Sequence, residues 1–134
     1  MHRYPWISLT RALAVLRITV ALLFLAHAVM RVANESVVQF AHFLGEAGLP
    51  FSHAAVWLIT GFEIVGGALM LAARHVRLLS AGFIVLLLLG ILLIHRHFGW
   101  FVGEHGTGGS EYSVALLAAL LVIAAADEWS TVRT

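Results

Sequence analysis

Four long apolar runs, separated by short polar stretches, organise the 134-residue chain. The first covers residues 9–32 and is interrupted by Arg17, His27 and Arg31. The second covers residues 53–73, and Glu63 is the one charge in its core. The third is the cleanest, with no charge between residues 78 and 94; its helix is expected to run to residue 97. The fourth covers residues 112–128 and is short beside the ~20 residues that a helix needs to cross a bilayer. Between the first two runs, Val37, Val38, Phe40, Ala41, Phe43 and Leu44 recur at helical spacing, with Gln39 and His42 among them. This pattern predicts a short amphipathic helix lying at the membrane interface or covering the end of a bundle. Ser36 is its expected N-cap, and Gly45 or Gly48 with Pro50 its stop. The predicted fold is all-α: one membrane domain over residues 1–134, a four-helix bundle with a short amphipathic interfacial helix between spans 1 and 2.

Composition strengthens the membrane reading. The chain is 61% hydrophobic and 11% charged, and its mean hydropathy is +0.96. A soluble domain carries about 25% charged residues. Net charge is +1, which gives no basis for binding nucleic acid. All the basic residues are arginine, so lysine Schiff-base chemistry is excluded. There is no cysteine, which excludes thiolate metal sites, iron–sulfur ligation and a thiol relay within this chain. Basic residues precede the first run, no small-residue cleavage signal ends it and Arg31 follows, so it reads as an uncleaved span.

Four spans put both termini on one side, with Arg3, Arg11, Arg74, Arg77 and Arg133. The other side has Arg31, Arg96, Glu35, Glu46, Glu104 and Glu111. The positive-inside rule then places both termini in the cytoplasm of a bacterial inner membrane. His27, His42, His53, His95, His97 and His105 fall in the outer half or beyond it.

The candidate chemistry gathers at that outer end. The connector between the third and fourth runs carries His95, His97, Glu104, His105 and Glu111 together with five glycines, Gly99, Gly103, Gly106, Gly108 and Gly109. Glycine lets backbone approach a ligand closely. Histidines and carboxylates at a membrane boundary can carry protons, bind a metal or hold a polar cofactor. His27 and Arg31 share one face of the first helix. The expected site is therefore one polar pocket formed by His27, Arg31, His95, Glu104, His105 and Glu111. Arg31 snorkelling to lipid phosphate and His27 bonding a neighbouring helix is the bland alternative. Glu63 is expected to face the bundle and pair with Arg17, or to face a ligand cavity as a protonatable group. Gly61, Gly66 and Gly67 beside it would let another helix come close. No strict metal motif is present, so no metal is predicted; a metal or haem held by His27, His95, His97 and His105 is the rival reading.

The chain resembles the DoxX family of small bacterial membrane proteins. The resemblance rests on LRI at residues 16–18, LFLAHAVMR at 23–31, GLP at 48–50, FEIVGG at 62–67, an arginine-bearing turn before the third run, His95 at its end and Glu111 opening the fourth. It departs at Ala28, where the family often has glycine, and at ADEWS, residues 126–130. The resemblance implies a four-helix membrane bundle. Some relatives are similar to the membrane subunit of thiosulfate–quinone oxidoreductases, and others are associated with oxidative-stress complexes. It thus implies a quinone- or redox-linked membrane subunit, at most oxidoreductase-associated, with the lipid bilayer, a redox partner protein and further copies of itself as partners. Without cysteine, sulfur chemistry would need a partner. A metal- or haem-binding membrane protein and a non-catalytic scaffold or assembly factor are the alternatives.

The arginine asymmetry has a direct check. Reporter fusions after Thr134 and within residues 107–110 are expected to report opposite sides of the membrane. An external C-terminus would reverse the map.

Overall fold

The computed structural model describes residues 6–103 and 108–132, with residues 128–132 described by backbone alone. All the regular structure among them is helical. The order is α1 (Leu9–Ala33), α2 (Val37–Glu46), α3 (Ser52–Leu71), α4 (Val76–Leu93), a 3-10 turn (His95–Phe98) and α5 (Glu111–Val132). α1, α3 and α4 are each long and apolar enough to cross a membrane. Leu22, Leu58, Val65, Leu78 and Leu88 are exposed on their outer surfaces. Such an apolar exterior suits lipid, in which helices associate by packing and polar contacts and not by a hydrophobic drive.

The four long helices alternate in direction and close into a ring: α1 packs on α3 and α5, and α4 packs on α5 and α3. The start of α1 and the end of α5 lie at one end of this bundle and α2 at the other. α2 lays Val37, Ala41 and Leu44 against Val56 of α3 and leaves His42 and Glu46 exposed. The amphipathic pattern read from the sequence is therefore used as expected.

The helix stops are chemically explicit. After α1, α2 and α3 the chain closes with an N–H reaching back five residues: Ser36 to Arg31 (3.0 Å), Leu49 to Leu44 (3.0 Å) and Arg74 to Leu69 (2.9 Å). This Schellman geometry puts one residue in the left-handed region, the usual place for glycine. Gly48 fills it after α2 at φ 94°, as anticipated, whereas Glu35 and Ala73 fill it after α1 and α3 at φ 55° and 57°. Ser36 does not cap α2 through its side chain. Its hydroxyl donates to the Arg31 carbonyl at 3.1 Å, closing the helix before it. The third apolar run is helical only to Leu93, not to residue 97: Ile94 leaves helical geometry at φ −122°, and the polar His95-Arg96-His97 enters a 3-10 turn.

The main core lies toward the end that carries the termini. Phe24 stacks on Phe83 at 4.0 Å between ring centroids, and Phe62 tilts against Phe83 at 4.8 Å. Val20, Met70, Leu79, Leu116 and Leu120 surround them. Gly66 and Gly67 permit this closeness. A Cβ on Gly66 would lie 3.2 Å from the Phe83 ring, and one on Gly67 2.7 Å from Leu25 Cγ. Gly61 does not share the role; it faces open space.

Phe83 is fully buried where three helices meet. Phe83→Ala is expected to cost about 3 kcal/mol or more, the scale for emptying a packed aromatic site. Leu88→Ala, on the exposed face of α4, should stay within about 0.5 kcal/mol. Reversible unfolding in detergent micelles measures both.

Candidate functional site

A cavity of about 720 Å³ occupies the α2 half of the bundle. This lies within the roughly 300–1,000 Å³ of small-molecule sites. It lies beyond the Phe24–Phe83 stack, with Phe24 on its wall. α2 roofs the space with Phe40 and Leu44, and α4 lines it with Leu86, Leu89, Gly90 and Leu93. Most of the wall is apolar. The polar groups are few: His27, Arg31 and Asn34 from α1, Ser36 and Gln39 at α2, Glu63 from α3, His95 from the 3-10 turn, and Tyr112 and Ser113 from α5.

Arg31 and Glu63 are the charged pair of the wall. Arg31 Nη1 donates to Glu63 Oε2 at 2.6 Å and to Thr60 Oγ1 at 2.9 Å. The two side chains are 13% and 6% exposed. The Thr60 hydroxyl donates to the Val56 carbonyl at 2.8 Å, so its oxygen is free to accept. The Arg31 guanidinium also lies 4.9 Å from the centre of the Phe40 ring, a cation–π distance. Thr60 and Glu63 reach one partner because residues three apart share a helix face.

This arrangement corrects the expected Arg17–Glu63 pair. Gly67 sits against Ala21 and Leu25, and Thr60 and Glu63 meet Arg31, which sets the antiparallel register of α1 and α3. On that register Arg17 is level with the far end of α3, roughly ten residues or ~15 Å along the axis from Glu63. No arginine side chain spans that distance. Arg17 Nε is buried there with no hydrogen-bond partner among the described residues.

His27 and His95 both line the cavity. The His27 ring lies 6.5 Å from that of Tyr112. His95 Nδ1 is buried without a hydrogen-bond partner among the described residues. Burial, with His27 as a second influence, holds the His95 imidazole below the usual histidine range. At neutral pH it is a neutral ring, able to accept or donate one proton.

Glu111 does not line the cavity. Its Oε1 accepts from the Val102 N–H at 2.9 Å, beside the backbone bonds Ser110 N to Gly99 O and Glu111 N to Trp100 O. It therefore pins the glycine-rich connector to the start of α5, where an acid also suits the helix dipole. Gly109 is essential to that closure, since a Cβ there would sit 2.5 Å from the carbonyl oxygens of Trp100 and Phe101. Glu104 and His105 lie outside the described residues. His97 is exposed, and its Nε2 accepts from Arg96 Nε at 3.3 Å. Among the described residues no three histidine or acidic side chains converge on a point that could hold a metal. Tyr112, Thr60, Asn34 and Gln39 were not singled out from the sequence. Only Thr60 carried a usable signal, its helical spacing from Glu63.

A family model described as DoxX matches residues 12–96, more than half of the chain. The matched stretch contains His27, Arg31, Glu63 and His95 and ends before Tyr112. No curated protein and no solved structure matches the chain.

Removing one member of a buried ion pair strands the other, at a cost of about 3–5 kcal/mol. Glu63→Leu should therefore destabilise strongly. Glu63→Gln, which can still accept from Arg31, should cost less, and Arg31→Met combined with Glu63→Leu should recover much of the loss. Unfolding of the three variants in micelles checks this; equal losses in all three would contradict the pairing.

Proposed function

Because this chain belongs to the DoxX family, we propose that it is an inner-membrane subunit that binds a quinone or quinol for a redox complex, with the α2 end facing outward and both termini in the cytoplasm. The observation that carries this reading is the cavity: a largely apolar chamber among helices long and apolar enough to cross a membrane, with a few charged and titratable groups in its wall. A quinone ring has an apolar body and two carbonyl acceptors. Arg31 and His27 are suited to donate to a carbonyl oxygen, and Glu63 to accept from a quinol hydroxyl. The neutral His95 ring is suited to give or take the proton that accompanies each electron. The electrons would come from a partner protein, since a cysteine-free chain has no thiolate ligands for a cluster. Glu111 would act indirectly, by holding the connector beside the cavity. α5, the fourth long helix, would complete the set of membrane spans.

Calorimetric titration of the detergent-solubilised chain with a decyl-substituted benzoquinone tests the proposal. Saturable binding is expected. His27→Ala and His95→Ala should each weaken it tenfold or more, and His42→Ala, on the exposed face of α2, should leave it unchanged. The His95 titration lies below the ordinary value of about 6.5. If the neutral ring is the binding form, affinity falls on acidification with its midpoint below the ordinary histidine value of about 6.5. No binding to the wild-type chain, or unchanged binding in both histidine variants, would overturn the proposal.

A further inference from the structure

Most of the cavity wall is apolar, and part of that apolar wall reaches the surface of the bundle. Its polar groups include His27 and Arg31 of α1, Glu63 of α3 and Tyr112 of α5, with the His95 ring beside Gly90 of α4. Ile59 of α3 and Leu86, Leu89 and Leu93 of α4 are aliphatic members of the lining. Leu89 lines the cavity and is nevertheless 48% exposed.

Its position locates the gap. α3 and α4 are closed toward the termini end, where Phe62 presses on Gly82 so tightly that a Cβ there would lie 2.6 Å from the ring. Leu89 is seven residues after Gly82, two turns along the same face of α4. It therefore points along the α3–α4 seam, past the closed part. Beyond it α2 covers the end of the seam: Leu93 and Ile94 pack against the cluster of Val37, Ala41, Leu44 and Val56, and Phe43 of α2 stacks with Phe98 at 6.5 Å. Leu89 thus stands in a side window framed by two contacts. Both frames are apolar, and the window lies within segments long and apolar enough to cross a membrane. Asn34 and Gln39, exposed at the α2 end, mark a separate polar approach.

We infer that the cavity takes a membrane-borne amphiphile, whose compact hydrogen-bonding head lies at the Arg31–Glu63 wall and whose long hydrocarbon tail passes over Leu89, between α3 and α4, into the bilayer. A long isoprenoid tail does not fit within 720 Å³ beside its head. The window is therefore what allows a tailed ligand to occupy the site, while the polar approach serves water and protons. The inference rests on the proposed quinone reading for the head group alone; the tail route follows from the shape of the bundle.

The test separates the two. The chain has no cysteine, so Leu23→Cys places a single thiol on the cavity wall contributed by α1. The protein is reconstituted in phosphatidylcholine vesicles and treated with N-dodecylmaleimide or with a sulfonated, water-soluble maleimide. The dodecyl reagent is expected to label the thiol, and adding Leu89→Trp to slow it at least tenfold. Leu89→Phe should slow it less, and Leu88→Trp, beside the window on the exposed face, should leave it within twofold. The sulfonated reagent should be unaffected by Leu89→Trp. No labelling by the dodecyl reagent, no slowing by Leu89→Trp and Leu89→Phe, or equal slowing of both reagents would overturn the window. Decyl-benzoquinone binding is measured on the same preparations. Its absence, with the labelling pattern as expected, would remove the quinone reading and leave the window. Its presence, with labelling insensitive to position 89, would do the reverse.

Discussion

The Arg31–Glu63 pair is the interaction on which the rest of the bundle depends. Two opposite charges at membrane depth must meet, because either alone is expensive there. Their meeting, with Thr60 as second acceptor, fixes how far α1 slides along α3. That register places Gly67 against Ala21 and Leu25 and brings Phe24 to Phe83. It also puts the polar groups of α1 on the wall of the cavity and leaves Arg17 far from any acid on α3. A buried pair is weak support for net stability but good support for a specified arrangement. Here it specifies both the packing of two helices and the polar end of a chamber.

The bundle divides along its length into a packed half and an open one. Near the termini, aromatic rings and small residues interlock, and the glycines of α3 let the neighbouring helices come close. Toward α2 a second, smaller cluster built on Val56 closes the top. The space between the clusters is the cavity. α2 is thus more than a connector: its apolar face seals the chamber, and Phe40 covers the guanidinium of Arg31. A division of this kind lets one half hold the fold while the other accepts a ligand.

Much of the fold was legible in the sequence because it depends on local pattern. Apolar runs gave the long helices, the spacing of Val37, Ala41 and Leu44 gave the short one, and Gly48 marked its stop. The inward direction of Glu63 followed from the cost of showing a carboxylate to lipid. The errors that bear on the site concern the relative placement of elements. Choosing Arg31 over Arg17 required the register of two helices, which neither sequence alone encodes. Glu111 reads as a site acid in a row of polar residues, and only the fold of the connector turns it toward the Val102 amide. Ser36 looks like the start of a helix, yet its hydroxyl serves the end of the one before. Among the candidate site residues, His27, Arg31 and His95 were recognisable as polar groups in apolar surroundings. Tyr112, Asn34 and Gln39 were not, since nothing distinguishes them from ordinary residues near a helix end until the cavity is seen.

Identification of what the protein carries out of its own membrane is the most direct measurement. The chain would be isolated in native lipid discs, together with a variant combining Arg31→Met and Glu63→Leu, and the bound small molecules extracted and identified by mass spectrometry. The account predicts an isoprenoid quinone retained close to one per wild-type chain and depleted in the variant. Equal quinone content in the two preparations, matching that of the surrounding lipid, would contradict it.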